Sequence, residues 1–182
     1  AVIGSGYKKD LAVCFARQDE TGSGVYGTWS VSGAVRSGGA GNRPVVFDNT
    51  QLYPSDGSNI RLHGYYPAIG ETDVAAGRVI FTIDGMTDVM ATGSLSGNSF
   101  VPLRVCTFQH LLTQLGLVCY SDRADRWGEI VRIEATGVHV RQQLDWLSAL
   151  PALADVSSPE DIKIVAVQEI AGLSVPQVEE GG

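Results

Sequence analysis

Cysteine is scarce and badly spaced for pairing: Cys14, Cys106 and Cys119 are the three in 182 residues, an odd number with no C-x-x-C pair. At most one disulfide can form and no thiolate zinc site is spelled out. All three read as small hydrophobes buried in strands. Positive charge is also in short supply. Thirteen Lys and Arg stand against twenty Asp and Glu, a net charge of −7, so no basic stripe is available for a phosphate backbone and nucleic acid is not an expected partner. No apolar run approaches the roughly 18 residues of a membrane-spanning helix. The chain opens at Ala1 with neither an initiator methionine nor a charged-then-apolar leader, which reads as a processed or trimmed start. The hydrophobic share of 44% and mean hydropathy of +0.07 are those of a folded domain and exclude disorder.

Motifs of catalysis are missing as well. Gly22 to Gly27 (GSGVYG) has the G-x-G-x-x-G spacing, and Asp48 lies where a dinucleotide site wants its acid. The run that follows, TWSVSGAV, is β-rich, so no helix N-terminus is available to receive a pyrophosphate and a hairpin turn is the reading. Neither GSLSG (Gly93 to Gly97) nor GLSVP has the spacing of a nucleophile elbow. His63, His110 and His139 fall on three separate segments without H-E-x-x-H or H-x-H, and read as packing or surface residues. Asp122 and Asp125 lack the alternating acids of an EF-hand loop, and no N-x-[ST] acceptor occurs. No catalytic residue, metal ligand or cofactor site is assigned, and the chain is not expected to be an enzyme.

Glycine is plentiful, at 22 residues with 7 prolines and no collagen-like period. It punctuates strand-like runs of four to eight residues, the pattern of an all-β sandwich or barrel. In RVIFTIDG, Val79, Phe81 and Ile83 face one way and Arg78, Thr82 and Asp84 the other; Val131, Ile133 and Ala135 alternate likewise with Arg132, Glu134 and Thr136. Leu11 to Arg17, Thr28 to Val35, Ile60 to Tyr66 and Asp161 to Gln168 bring the strands to six at least. One segment, VCTFQHLLTQLGL, places Phe108, Leu111, Leu112 and Leu115 at helical spacing before Gly116, and predicts a helix of at most two turns. Gln142 to Leu153 predicts a loop with one helical turn ahead of Pro151. A hinge at Ser157 to Pro159 divides the chain into a sandwich over 1–156 and a terminal segment over 157–182. That segment reads equally as a strand completing the sheet, the first strand of a second domain, or a donor tail. Trp29, Trp127 and Trp146, with Tyr65 and Tyr66, fit either a sugar-stacking platform or the closed ends of a core.

From Leu11 to Trp146 the order of features resembles the fimbrillin-like family, the Mfa-like or type V pilin proteins, in its amino-terminal domain. The matching elements are LAVCFARQD near the start, LYP at Leu52 to Pro54, and Gly64-Tyr65-Tyr66-Pro67. Asp84, the run from Thr87 to Thr92, the Phe108-x-His110-x-Leu112 core, WGEIVRI before Gly137, and Leu144 to Trp146 continue the series. The resemblance implies a transthyretin-like antiparallel β-sandwich, carried by an exported lipoprotein of the outer membrane. It implies a structural or adhesive role, as pilus component or accessory protein, without catalysis, cofactor or metal. Contact with the membrane would be only through a lipid anchor outside this chain.

In that family an arginine-specific protease releases an N-terminal strand, and a neighbouring subunit's strand fills the gap by β-augmentation. Carried over, Arg17 is the cleavage point and Leu11, Val13 and Phe15 face inward on the exchangeable strand. The partners are then other pilus subunits. Gly64, Tyr65, Tyr66, Pro67, Asp84, Phe108 and His110 take structural roles. The tyrosines would pack a sheet edge with one hydroxyl on a backbone partner, Pro67 would end the ladder, and Asp84-Gly85 would turn a hairpin. A surface carbohydrate-binding lipoprotein module is the alternative function.

Overall fold

Strand β1 (Leu11–Gly22) runs through the middle of an antiparallel sheet, between β5 (Ile60–Tyr66) and β3 (Ser30–Arg36). β4 (Val45–Phe47) extends the sheet beyond β3, while β8 (Met90–Ala91) and then β10 (Gln109–His110) extend it beyond β5. β2 (Val25–Tyr26) pairs with the end of β1, and β9 (Leu95–Gly97) with the start of β5. These elements come from a computed structural model that describes residues 3–4, 6–113, 121, 126, 129–156, 162–163 and 166–174. No α-helix occurs among them.

A second antiparallel sheet has the order β14 (Leu153–Asp155), β13 (Arg141–Asp145), β7 (Arg78–Thr82), β6 (Glu71–Asp73). It packs on one face of the first sheet. Cys14, Ala16 and Tyr65 meet Val79, Phe81 and Leu144 there in a shared core. Trp146 lies parallel to Tyr65 at 6.1 Å, and edge-on to Trp29 at 5.2 Å. The chain is thus an all-β antiparallel sandwich, the class read from the alternating runs. Val79 and Phe81 are buried and Thr82 exposed, as their alternation requires. Gly24 has φ 76° in the tight turn joining β1 to β2, so the glycine-rich motif is a hairpin turn.

Two smaller pairings complete the described residues: β11 (Glu129–Ala135) with β16 (Ala166–Ser174), and β12 (Val138–His139) with β15 (Ile162–Lys163). In the terminal segment, β15 and β16 thus pair in two-stranded sheets of their own and extend neither of the larger sheets. The hinge at 157–159 lies outside the described residues.

Several expectations are corrected. Phe108 to Leu112 is extended: Gln109 and His110 pair with Ala91 and Met90, and the Leu111 N–H donates to the Val89 carbonyl at 2.8 Å. The open edge of β8 offered hydrogen bonds that overrode a weak local helical pattern; residues from 114 to 120 lie outside the described set. Gln142 to Asp145 is strand for a similar reason, paired to β7. Tyr65 and Tyr66 lie on an interior strand, not an edge, and the Tyr65 hydroxyl meets the Cys14 thiol. Asp84 and Gly85 do make a turn, with the carboxylate accepting from the Met86 and Thr87 N–H groups at 2.8 and 2.7 Å. That turn carries the chain from β7 to β8 in the other sheet, so it is no hairpin. Cys106 is half-buried outside any strand, whereas Cys14 is buried in β1; both are free thiols.

Candidate functional site

The run LAVCFA at the start of β1 is apolar on both faces, and from Val13 to Ala16 both faces of the strand are covered while Ala12 is exposed. Cys14 and Ala16 point into the sandwich core. Leu11, Val13 and Phe15 point the other way, each buried to 5% exposure or less. The inward row proposed for the exchangeable strand is therefore one continuous side of β1. Its backbone is paired twice, from Leu11 opposite Arg36 to Arg17 opposite Ser30, and from Cys14 opposite Tyr65 to Asp19 opposite Ile60.

Arg17 sits within this doubly paired stretch, not in a loop. Its side chain is 14% exposed and forks onto Asp19, with Nε–Oδ1 at 2.6 Å and Nη2–Oδ2 at 3.2 Å. It also donates to the Leu52 carbonyl at 2.8 Å and to Gln51 Oε1 at 3.3 Å, tying the loop after β4 to the sheet. A protease reads an extended, unpaired segment, so the Arg17–Gln18 bond becomes accessible only when this part of β1 leaves the sheet.

The face carrying Leu11, Val13 and Phe15 differs from the core face. Its buried cluster also holds Ile3, Ala34, Leu62 and Met90, and what packs against it comes mostly from irregular segments: Tyr7, Leu103, Cys106 and Phe108. That cover is incomplete and leaves a groove of about 900 Å³. Phe15 forms part of its floor, 5.0 Å from Phe47 and edge-on to Phe108 at 6.1 Å. Arg17, Arg36, Arg43 and Arg104 line the groove with Asp48 as the single lining carboxylate among the described residues. Arg36 donates to the carbonyls of Ser37, Gly39 and Gly41.

His110 stands at one border of the groove, with Nδ1 2.6 Å from Asp88 Oδ2. A carboxylate that orients an imidazole is one half of a nucleophile-activating arrangement. The thiol lining the same groove, Cys106, is pushed up from its ordinary range by burial, the reverse of an activated nucleophile. His139 pairs with Asp155 at 2.7 Å on the surface. His63 is fully buried between the sheets, where loss of hydration holds its pKa down at about 4 and nearby Asp145 opposes only part of the effect. Neither of its ring nitrogens, nor Trp146 Nε1, nor Gln18 Oε1, finds a hydrogen-bond partner among the described residues.

The structure brings Leu11, Val13, Phe15, Arg17, Phe108 and His110 to one groove, and Gly64 beneath Phe15 and Phe108. Tyr65 belongs to the opposite, core face; Pro67 follows a cis peptide bond at the end of β5, and Asp84 lies in the intersheet turn. Trp29 and Trp146 are core residues and make no surface platform, and Trp127 lies outside the described residues. Arg36, Arg43 and Arg104 carried no signal in the sequence, since they sit in separate segments that only the sheet brings together.

No protein-family model matches the chain, and no curated protein matches its sequence. Among solved structures, the fold is shared with the crystal structure of a provisionally named cell adhesion protein from Bacteroides uniformis ATCC 8492. The TM-score is 0.64 at 14% identity, over 93% of this chain and 67% of that one. At that identity the likeness is one of fold.

Proposed function

We propose that the chain is a non-enzymatic subunit of the cell surface, structural or adhesive, that joins its neighbours by exchange of β1. The fold shared with a protein provisionally named as a cell adhesion protein supports the surface reading. The observation that carries the exchange reading is the place of β1. It lies between β3 and β5 with Leu11, Val13 and Phe15 buried in a row. Its departure would expose two rows of unpaired backbone groups and three side-chain pockets in fixed register, which is what an incoming strand needs.

Cleavage after Arg17 would leave Gln18 and Asp19 paired with Arg61 and Ile60, and so would open the sheet only over the half of β1 that carries the row. Because Arg17 is paired on both sides and Gln18 on one, the protease acts on a chain in which β1 is out of place, before the sheet closes or during a local opening. Sugar recognition by stacked tryptophans gains nothing from Trp29 and Trp146, which are buried.

The surface part is tested by brief proteolysis of intact cells that make the protein, with released peptides identified by mass spectrometry. Peptides of this chain released without lysis are the expected result. Peptides found only after lysis overturn the surface reading.

A further inference from the structure

A sheet face in a sandwich is normally either packed on another layer or polar. The groove face of the first sheet is covered only in part. Val13, Phe15, Leu62 and Met90 are buried beneath the cover, but the lining of the groove of about 900 Å³ includes Phe47, Leu52, Leu103, Val105 and Phe108, apolar groups that are half-buried or exposed. That volume falls within the roughly 300–1,000 Å³ of small-molecule sites. Apolar surface left to water costs on the order of 25 cal/mol per Å², so covering it favours a ligand with a hydrocarbon body.

Charge selects the other end of that ligand. The chain is acidic, at −7, yet four arginines line this groove against the one carboxylate of Asp48. Arg17 is answered by Asp19, and Arg36 by carbonyl groups alone. Arg43 and Arg104 are exposed and have no hydrogen bond or ion pair among the described residues. Guanidinium groups at the rim of an apolar trough match a carboxylate, which they can grip in a two-pronged bond. We propose that the groove binds a long-chain carboxylate, its hydrocarbon on Phe47, Leu52, Leu103, Val105 and Phe108 and its head group held by Arg43 and Arg104. The site is independent of where the protein resides, so failure of the surface reading and failure of this one are separate outcomes.

Displacement of a fluorescent polyene fatty acid from the full chain tests the site, with hexadecanoate, hexadecan-1-ol and acetate as competitors. Expected are one saturable site, displacement by hexadecanoate at least about 10-fold stronger than by the alcohol, and none by acetate. Arg43→Ala and Arg104→Ala, both at exposed positions, each weaken the acid about 10-fold, leave the alcohol unchanged and keep the wild-type unfolding midpoint. Thr107→Trp, at an exposed lining position, weakens both. Absence of saturable binding overturns the proposal. So does equal binding of acid and alcohol that neither arginine change alters, the pattern of an unselective apolar face awaiting a protein segment.

Discussion

Gly64 lies directly opposite Phe15 across the β1–β5 ladder, and a β-carbon built on it would come within 2.7 Å of the Phe15 ring and 2.8 Å of the Phe108 ring. The glycine of the Gly-Tyr-Tyr-Pro element is thus the space in which two aromatic rings meet. Phe15 is held on its other side by Phe47, so neither ring has an easy retreat. Gly64→Ala is expected to destabilise the chain by about 1–3 kcal/mol through overpacking. Phe15→Ala should cost about 3–5 kcal/mol through the cavity it leaves. Urea unfolding monitored by circular dichroism measures both, and a neutral Gly64→Ala would show that the rings are not fixed as described.

Stability should fall as pH drops from 6.5 towards 4. His63 has a pKa of about 4 in the folded chain against 6.5 as its ordinary value, so the unfolded state takes up the proton first. The stabilisation is complete above pH 6.5 and is lost as pH falls to 4, amounting to roughly 3 kcal/mol. Asp73 and Asp84 act lower down, because hydrogen bonds hold their pKa values below the ordinary 3.8. His63→Leu should flatten the slope between pH 6.5 and 4.5; an unchanged slope in that variant assigns the effect elsewhere.

The two described tryptophans belong to the core. Trp146→Ala should cost about 3–5 kcal/mol, and fluorescence from Trp29 and Trp146, isolated in a Trp127→Phe background, should resist iodide quenching. Ready quenching would mean that the sheets are open at this point.

Thiol reactivity reports on the packing of β1. Burial raises the Cys14 thiol above its ordinary range, with the Tyr65 hydrogen bond only partly offsetting it. Cys14 should therefore be alkylated at pH 7.5 only when the chain unfolds, which peptide mapping after timed labelling detects. Labelling at the rate of a free thiol would contradict the packing of β1.

Where local pattern and tertiary demand agreed, the sequence was legible. Ile60 to Tyr66 is a strand at the boundaries its alternation suggested, and Leu11, Val13 and Phe15 share one face as their spacing of two requires. Where they conflicted, pattern lost. Phe108, Leu111 and Leu112 have helical spacing, but the edge of β8 and the ring of Phe15 draw this segment out straight. Asp84-Gly85 has hairpin chemistry, yet the strands it joins belong to different sheets, which no short-range signal reports. The groove was not legible at all. Its arginines come from β1, β3 and two loops, and their convergence follows from strand order.

Digestion of the native protein with an arginine-specific protease, followed over time by intact mass and size-exclusion chromatography, tests strand exchange most directly. The account predicts a cut after Arg17, slow because β1 must first leave the sheet. Loss of the segment bearing Leu11, Val13 and Phe15 should follow, and then oligomers as neighbouring chains fill the vacated place. An intact Arg17–Gln18 bond and a monomeric chain, after the exposed Arg104 has already been cut, would contradict it.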